Sequence, residues 1–461
     1  MRINKTNLMA LLAVLLFMVS CSDNDGPSYS EKPLADNALK EILIQKGFHF
    51  NADGQLLIDT KADTTTTLDL SGTKLDTTAL ADLSILPHLS AVDLSNNGYG
   101  PRFNFGLLPQ QITSVNLSGN EIYEYPGLLD IQTADNGDET VKVLHPLSKL
   151  LLPHSAQYNC AEIPTYFAKE KTSNMEMQDS LGELKPYTTL REVPDDTIRK
   201  RLKTSYPSIF RGDKIDISKR FVNVAEKTRN LDLETLKYKS LEGIEYVAMN
   251  PSYSGSIIDV GISGSHTHIP YIKVNKFISD LFINNMDVNY LNIDEDVNLC
   301  GIIITHNKFI TSLDLSKQVK LGQRDIHDEF AQMDLPSYIQ IDVCDNLQSI
   351  KFPPKATLLF TLEAYALPKL KSLDLSQFSS MFELSLGDLP ECAGLKYPDI
   401  KNWFNGEEID NVKGIMYFGI TKDMDDLSTT KAFLDKNHTH CISGGFSDFS
   451  AREYDWTKDY K

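Results

Sequence analysis

Two stretches concentrate the side-chain types that bind metals: His266-Thr-His268 and His438-Thr-His440-Cys441. Histidines two apart on a strand share a face and could ligate one ion, but a tetrahedral site needs further ligands, and none stands at a recognisable spacing. Cys441 beside His440 offers a thiol and a base, yet adjacency along the chain is not the geometry of nucleophilic attack. There is no H-E-x-x-H, no G-x-S-x-G, no P-loop and no G-x-G-x-x-G after a strand. Carboxylates are plentiful, but no two stand out as a glycosidase pair. Asn51-Ala-Asp53-Gly54 begins like a calcium loop and lacks the later carboxylates that would complete one, so it reads as a turn. Arg211-Gly212-Asp213 is a tripeptide that some adhesion ligands display, and three-residue matches are common by chance. The expectation is a chain with no catalytic residue, no metal site and no cofactor, hence not an enzyme.

The polar residues with the most regular placement are Asp69, Asp93, Asn116, Asn292, Asp314, Asp342 and Asp374. Each is read as the outward residue between two inward apolar positions of a short strand, and parallel stacking would align them as a ligand-binding ladder on one sheet face. Such a ladder suits a cationic protein patch, a calcium-bridged ligand or sugar hydroxyls. The strands that carry it are found by self-similarity. Leu89-Ser-Ala-Val92-Asp-Leu94-Ser-Asn-Asn97, Ile112-Thr-Ser-Val115-Asn-Leu117-Ser-Gly-Asn120 and Leu299-Cys-Gly-Ile302-Ile-Ile304-Thr-His-Asn307 all fit L-x-x-L-x-L-x-x-N. The Asn can hydrogen-bond backbone groups that the turn would otherwise orphan. Leu68-Asp-Leu70-Ser71, Leu313-Asp-Leu315-Ser316 and Leu373-Asp-Leu375-Ser376 repeat the strand without it. Strand starts at 68, 92 and 115 give steps of 24 and 23 residues. In the C-terminal half, starts at 260, 272, 281, 291, 302, 313, 341, 350, 362, 373, 384 and 395 give steps mostly near 11, with one of 28. Steps near 11 read as half-coils, and the step of 28 as an insertion over Lys317 to Ser337, helical around Asp325 to Gln332.

Helices must cover the apolar ends of such stacks. Asp36-Asn-Ala-Leu39-Lys-Glu-Ile42-Leu43-Ile-Gln-Lys-Gly47 has helical apolar spacing between an Asp at the N-cap and a Gly at the stop. Pro194-Asp195-Asp-Thr-Ile198-Arg-Lys-Arg-Leu202 has the same start, followed by Leu231-Asp-Leu233 and Ser240-Leu241-Glu-Gly-Ile244-Glu. Residues 126 to 185 are polar with few regular matches. After 400, Gly414 to Phe418 reads as a strand, Met424 to Leu434 as a helix and Thr439 to Ser443 as a strand, together a C-terminal cap.

The 461 residues include 63 Asp and Glu against 45 Lys and Arg, a net charge of -18, which disfavours nucleic acid. Residues 183 to 230 reverse the sign locally, with 12 Lys and Arg against 7 Asp and Glu, as expected of a solvated cap face. The first residues run from Arg2 and Lys5 through an apolar stretch, Leu8 to Val19, to Ser20 and Cys21, the layout of a signal peptide. Five further cysteines, Cys160, Cys300, Cys344, Cys392 and Cys441, form no CxxC, and their number is odd, so no disulfide framework is indicated.

Met18-Val19-Ser20-Cys21 resembles the bacterial lipoprotein signal, which implies cleavage before Cys21 and acylation of its thiol. Ser22-Asp23-Asn24-Asp25 resembles the export tag of Bacteroidetes-type surface lipoproteins, which implies an outer-membrane location facing outward. The strand repeats and cap helices resemble the leucine-rich-repeat proteins of that group. The resemblance implies an α/β leucine-rich-repeat solenoid rich in short parallel strands, with helical N-terminal caps and two arrays in tandem. The divisions are a signal peptide over 1–21, a tether over 22–33, a first array over 34–180 and a second over 181–461. The expected function is recognition of a macromolecular ligand, a protein, through the sheet face at Asp69, Asp93, Asn116, Asp314, Asp342 and Asp374. The alternative is a cell-surface glycan binder of a polysaccharide uptake system, for which Trp403 and Trp456 would be platforms. Four Asp-Ser/Thr tripeptides, at Asp63, Asp76, Asp179 and Asp196, resemble O-glycosylation acceptors of the same group and are expected at the surface.

Overall fold

The computed structural model describes residues 29–133, 139–170, 173–233, 238–261, 266–294, 297, 299–321, 337–354, 359–378, 381–399, 417–421, 424 and 427–437. It is an α/β protein of short, mostly parallel strands with few helices. The helix Asn37–Gln45 begins where the Asp36 carboxylate accepts the Leu39 N–H at 2.8 Å, and it buries Leu39 and Leu43, one turn apart on a single face. The chain turns out of it at Gly47, whose φ of 81° suits a residue without Cβ. Just before it, Ser30–Lys32 pairs antiparallel with Leu56–Ile58, so the expected tether over 22–33 is already in a sheet by residue 30.

A first sheet follows, built from Thr67–Asp69, Ala91–Asp93, Ser114–Asn116, Lys149–Leu152 and Asn174–Gln178 in parallel, closed by antiparallel Leu184–Pro186. Leu68, Val92, Val115, Leu150 and Met175 lie in register and point into the core. Leu70, Leu94 and Leu117, two residues further on, are fully buried, the period of two that a half-buried strand requires. Strand starts at 67, 91 and 114 keep the steps of 24 and 23 residues. At the end of each turn an Asn folds inward. Asn97 Nδ2 donates to the carbonyls of Leu70 and Leu94 (3.0 and 2.9 Å), and Asn120 Nδ2 donates to those of Leu94 and Leu117 (3.0 and 2.8 Å). The stretch 126–185 is therefore not merely irregular. It holds an antiparallel hairpin, Leu129–Thr133 with Glu139–Val143, and then two more strands of the same parallel sheet.

The second half opens with the helix Asp196–Ser205, whose N-cap Asp195 accepts from Thr197 and Ile198. From there the strands alternate between two layers. The long sheet is all parallel: Leu231–Leu233, Ile257–Gly261, Asp280–Asn284, Gly301–Thr305, Tyr338–Asp342, Leu359–Tyr365, Met381–Gly387 and Tyr417–Ile420. Between its members come Tyr271–Val274 paired with Tyr290–Ile293, and then a four-stranded short sheet of Ser312–Asp314, Ser349–Lys351, Ser372–Asp374 and Gly394–Lys396. Apolar residues of both layers meet in one core, for example Ile302 and Ile339 from the long sheet with Leu313 and Leu373 from the short one. The half-length steps of the sequence are thus alternate passes through two sheets. The turn out of each long-sheet strand is also repeated. Asn285, His306, Val343, Ala366 and Asp388, each one place beyond its strand, have φ between 51° and 55°. The helix expected over Met424 to Leu434 is found at Ser428–Asn437. The strand expected over Gly414 to Phe418 is observed as Tyr417–Ile420. The insertion helix and the strand over Thr439 to Ser443 lie outside the described residues. Among the described residues no helix is long and apolar enough to cross a membrane.

The two halves join through aromatic rings and two acids, Glu124 and Glu139, the latter paired with Arg220 at 3.3 Å. Tyr123 stacks on Tyr271 at 4.7 Å and packs into the second core. Beside it the buried Glu124 accepts from Tyr271 Oη at 2.6 Å and from Asn292 Nδ2, and pairs with Arg102 at 3.1 Å.

Candidate functional site

The first sheet presents an open trough of about 270 Å³. Thr67, Ala91, Ser114 and Lys149 form one row across it, and Asp69, Asp93, Asn116 and Leu151 the next. The first row is small at Thr67, Ala91 and Ser114 and ends in Lys149. Each acid or amide of the second row also closes the turn that follows it. Asp69 Oδ1 accepts from the Ser71 N–H (2.8 Å) and hydroxyl (2.6 Å), Asp93 Oδ1 from the Ser95 N–H (2.9 Å), and Asn116 Oδ1 from the Ser118 N–H (3.0 Å) and hydroxyl (2.7 Å). The Ser71 hydrogen bonds hold the Asp69 carboxyl below its ordinary range. Asn116 Nδ2 in turn donates to Asp93 Oδ2 at 3.0 Å, so neighbouring rungs are locked together. The trough therefore carries fixed negative charge at Asp69 and Asp93, an oriented amide at Asn116 and an exposed ammonium at Lys149.

The remaining expected positions are not on this face, and no single ladder exists. Asp314 and Asp374 belong to the short sheet, where each has a lysine opposite it in register, Lys351 at 3.3 Å and Lys396 at 2.6 Å. Burial raises Asp314, but the Ser316 and Lys351 hydrogen bonds outweigh it and lower its pKa, while Lys396 and Ser376 lower Asp374. Alternate passes feed opposite sheets, so residues one half-coil apart cannot stack. Asn292 sits at the junction beneath Glu124. Asp342 ends its strand instead of centring it, because the inward pair is Ile339 and Ile341 and the middle residue is Gln340.

The outer face of the long sheet was not singled out in the sequence. Its middle row runs Asp259, Phe282, Ile303, Gln340, Glu363, Ser385, with Tyr338, Thr361 and Glu383 on one side and Asp342, Tyr365 and Gly387 on the other. Tyr338 lies over Gly301, where an added Cβ would meet its ring at 2.3 Å, stacks on Phe282 at 5.5 Å and donates to Asp280 at 3.2 Å. The Tyr365 ring lies toward Gly387 on the opposite flank. Burial and then the charges of Asp342 and Glu383 push Glu363 up to about 7. Burial likewise raises Asp342 and Glu383.

Other candidates resolve into structural roles. His266 Nδ1 is 3.2 Å from Asp287, and His268 Nε2 is 2.7 Å from Asn289 with its ring stacked on Phe309. Among the described residues no group of three His, Cys, Asp or Glu is placed to hold a metal ion. Arg211-Gly212-Asp213 forms an exposed hairpin turn in which Lys203 engages Asp213 at 3.0 Å. Asn51 closes its own turn by accepting the Gln55 N–H. Asp76 and Asp195 cap helical turns, and the four Asp-Ser/Thr segments have exposed residues. Cys160, Cys344 and Cys392 are buried free thiols, and burial pushes Cys160 and Cys344 up to about 12. Glu245 is fully buried, accepts the Gly243 N–H at 2.7 Å, leaves Oε1 without a partner, and is pushed by burial to about 8. Cys21, Trp403, His438, His440, Cys441 and Trp456 lie outside the described residues. Comparison with protein-family models, with curated proteins and with solved structures finds no match.

Proposed function

We propose that the chain is a non-enzymatic leucine-rich-repeat binding protein, two arrays in tandem, held by a lipid on Cys21 at the outer surface of an outer membrane. Its ligand is a protein, met by the open face of the first sheet. The observation that supports this reading is the trough itself: Asp69, Asp93 and Asn116 stand in register beside the small residues Thr67, Ala91 and Ser114, with their conformations fixed by the turns they close. Pre-organised charge of that kind lowers the ordering cost of binding and favours a ligand surface bearing basic groups. Repeat arrays commonly bind through such faces, although fold alone does not choose the ligand.

The test uses the chain from Ser22 onward, screened against solubilised envelope and host-surface proteins and against a polysaccharide panel. Protein binding that falls at least tenfold, about 1.4 kcal/mol, with Asp93→Arg is the expected result. Glycan binding that falls with the same variant would transfer the face to the alternative reading, capture of a polysaccharide. A ligand indifferent to both Asp93→Arg and Asp69→Arg would refute a role for the first sheet.

A further inference from the structure

The long sheet carries a second polar face, and its chemistry differs from that of the first. Asp342, Glu363 and Glu383 lie on three successive strands and step diagonally across the outer surface. Asp342 and Glu383 both act on Glu363 as like charges, and among the described residues no Lys or Arg pairs with any of the three. His306, at the turn of the neighbouring strand, is the titratable base that bears on Asp342.

Two further polar atoms on this face are buried and unsatisfied. Asp342 is 8% exposed; its Oδ2 accepts from Gln340 at 2.6 Å, but Oδ1 has no partner. Ser385 is 5% exposed, stands beside Glu363 in register, and its hydroxyl is also unpartnered. A buried polar atom left unpaired is unfavourable, and like charges crowded together add to that cost. One bound group with several N–H donors and a positive charge would relieve both. The two rings that flank the acids turn toward glycines of neighbouring strands, Tyr338 over Gly301 and Tyr365 toward Gly387. The strip runs across three parallel strands, a span over which a polypeptide can present a basic side chain.

We propose that the strip of the long sheet formed by Asp342, Glu363, Glu383 and Ser385 is a binding site for a lysine side chain of a polypeptide ligand. It is separate from the trough of the first sheet and stands or falls without it. The ammonium supplies three donors and no acceptor, matching a surface that offers carboxylate and hydroxyl oxygens.

The probe is fluorescein-labelled tetralysine, titrated by anisotropy into the chain from Ser22 onward in about 150 mM salt, where charges beyond ~8 Å are screened. Glu363→Gln, Glu383→Gln and Asp342→Asn should each weaken binding at least tenfold. Glu41→Gln and Asp53→Asn, exposed acids elsewhere that remove the same charge, should change it less than twofold. Equal small losses in all five variants would show only attraction to a chain of net charge -18 and would overturn the proposal. Stoichiometric displacement of tetralysine by about 1 mM calcium would also overturn it, in favour of a metal. Spermidine binding as tightly as tetralysine would overturn the assignment to a polypeptide. The three acid variants are isosteric and relieve repulsion, so thermal midpoints no lower than that of the parent are expected.

Discussion

Asn120→Ala separates a structural asparagine from a ligand-facing one within a single turn. The Asn120 amide makes five hydrogen bonds: it donates to the carbonyls of Leu94 (3.0 Å), Leu117 (2.8 Å) and, at 3.5 Å, Ser118, and accepts the N–H groups of Asn97 (3.0 Å) and Tyr99 (3.1 Å). Leu94 retains a second donor, the Asn97 amide at 2.9 Å, when Asn120 is truncated. The Leu117 carbonyl and the two N–H groups lose the side-chain partner that the described structure gives them. At about 1–3 kcal/mol for each orphaned buried group, and with water reaching the turn from one side, the loss should be about 3–5 kcal/mol. Asn116→Ala, four residues earlier, removes bonds to Ser118 and Asp93 at a half-exposed position and should cost about 1 kcal/mol. Asn120→Asp keeps the accepted bonds but turns an acceptor toward two carbonyls, so it should be no milder than Asn120→Ala. Urea unfolding followed by far-ultraviolet circular dichroism reads all three. If Asn120→Ala costs no more than Asn116→Ala, the inward asparagine is not what holds successive turns together.

Three further outcomes are expected. Glu245 binds a proton in the folded chain up to about pH 8 against an ordinary 4.5, so stability falls as pH rises between these values. At about 1.4 kcal/mol per unit the loss is up to about 5 kcal/mol, and Glu245→Gln should flatten it, gaining over the parent at pH 8.5 but not at pH 5; parallel curves would remove Glu245 as the cause. Gly301→Ala should displace the Tyr338 ring, break its bond to Asp280 and cost about 1–3 kcal/mol, and near-ultraviolet dichroism unchanged from the parent would show that the ring does not depend on Gly301. Cys21→Ser should abolish incorporation of labelled palmitate and release the protein from the membrane fraction, and retained label would refute the lipid anchor.

The first sheet was legible because its determinants are strict. Leu-x-Leu sets the inward pair, and the Asn that must bond two carbonyls and two N–H groups has few substitutes, so Leu94 to Asn97 and Leu117 to Asn120 stand out. The strand Lys149–Leu152 carries no such Asn and lies beyond a 35-residue step from Ser114, which a search for a constant spacing passes over. In the second half, spacing revealed the passes but not their sides, since an inward Leu looks alike in either sheet. Asp342 was misplaced because Ile339-Gln-Ile341-Asp-Val343 offers two frames of alternation. The frame is decided by Val343, which takes the left-handed corner at φ 52°, a conformation that a β-branched residue rarely signals. Glu363 was within reach: it occupies the same middle position between Leu362 and Ala364 that Asp93 holds between Val92 and Leu94. Its importance comes from Asp342 and Glu383 on neighbouring strands, a cross-strand relation that no local motif contains.

Alternation between two layers gives this half of the molecule a parity. Long-sheet strands starting at 257, 280 and 301, and again at 338, 359 and 381, advance by 21 to 23 residues, while the short-sheet strands starting at 349, 372 and 394 keep the same step out of phase. Gaining or losing a complete pair of passes leaves every later strand in its own layer. Gaining or losing a single pass exchanges the layers for everything that follows, carrying Glu363 and Glu383 to the side now held by Lys351 and Lys396. Length variation in this part of the chain should therefore come in whole pairs of passes.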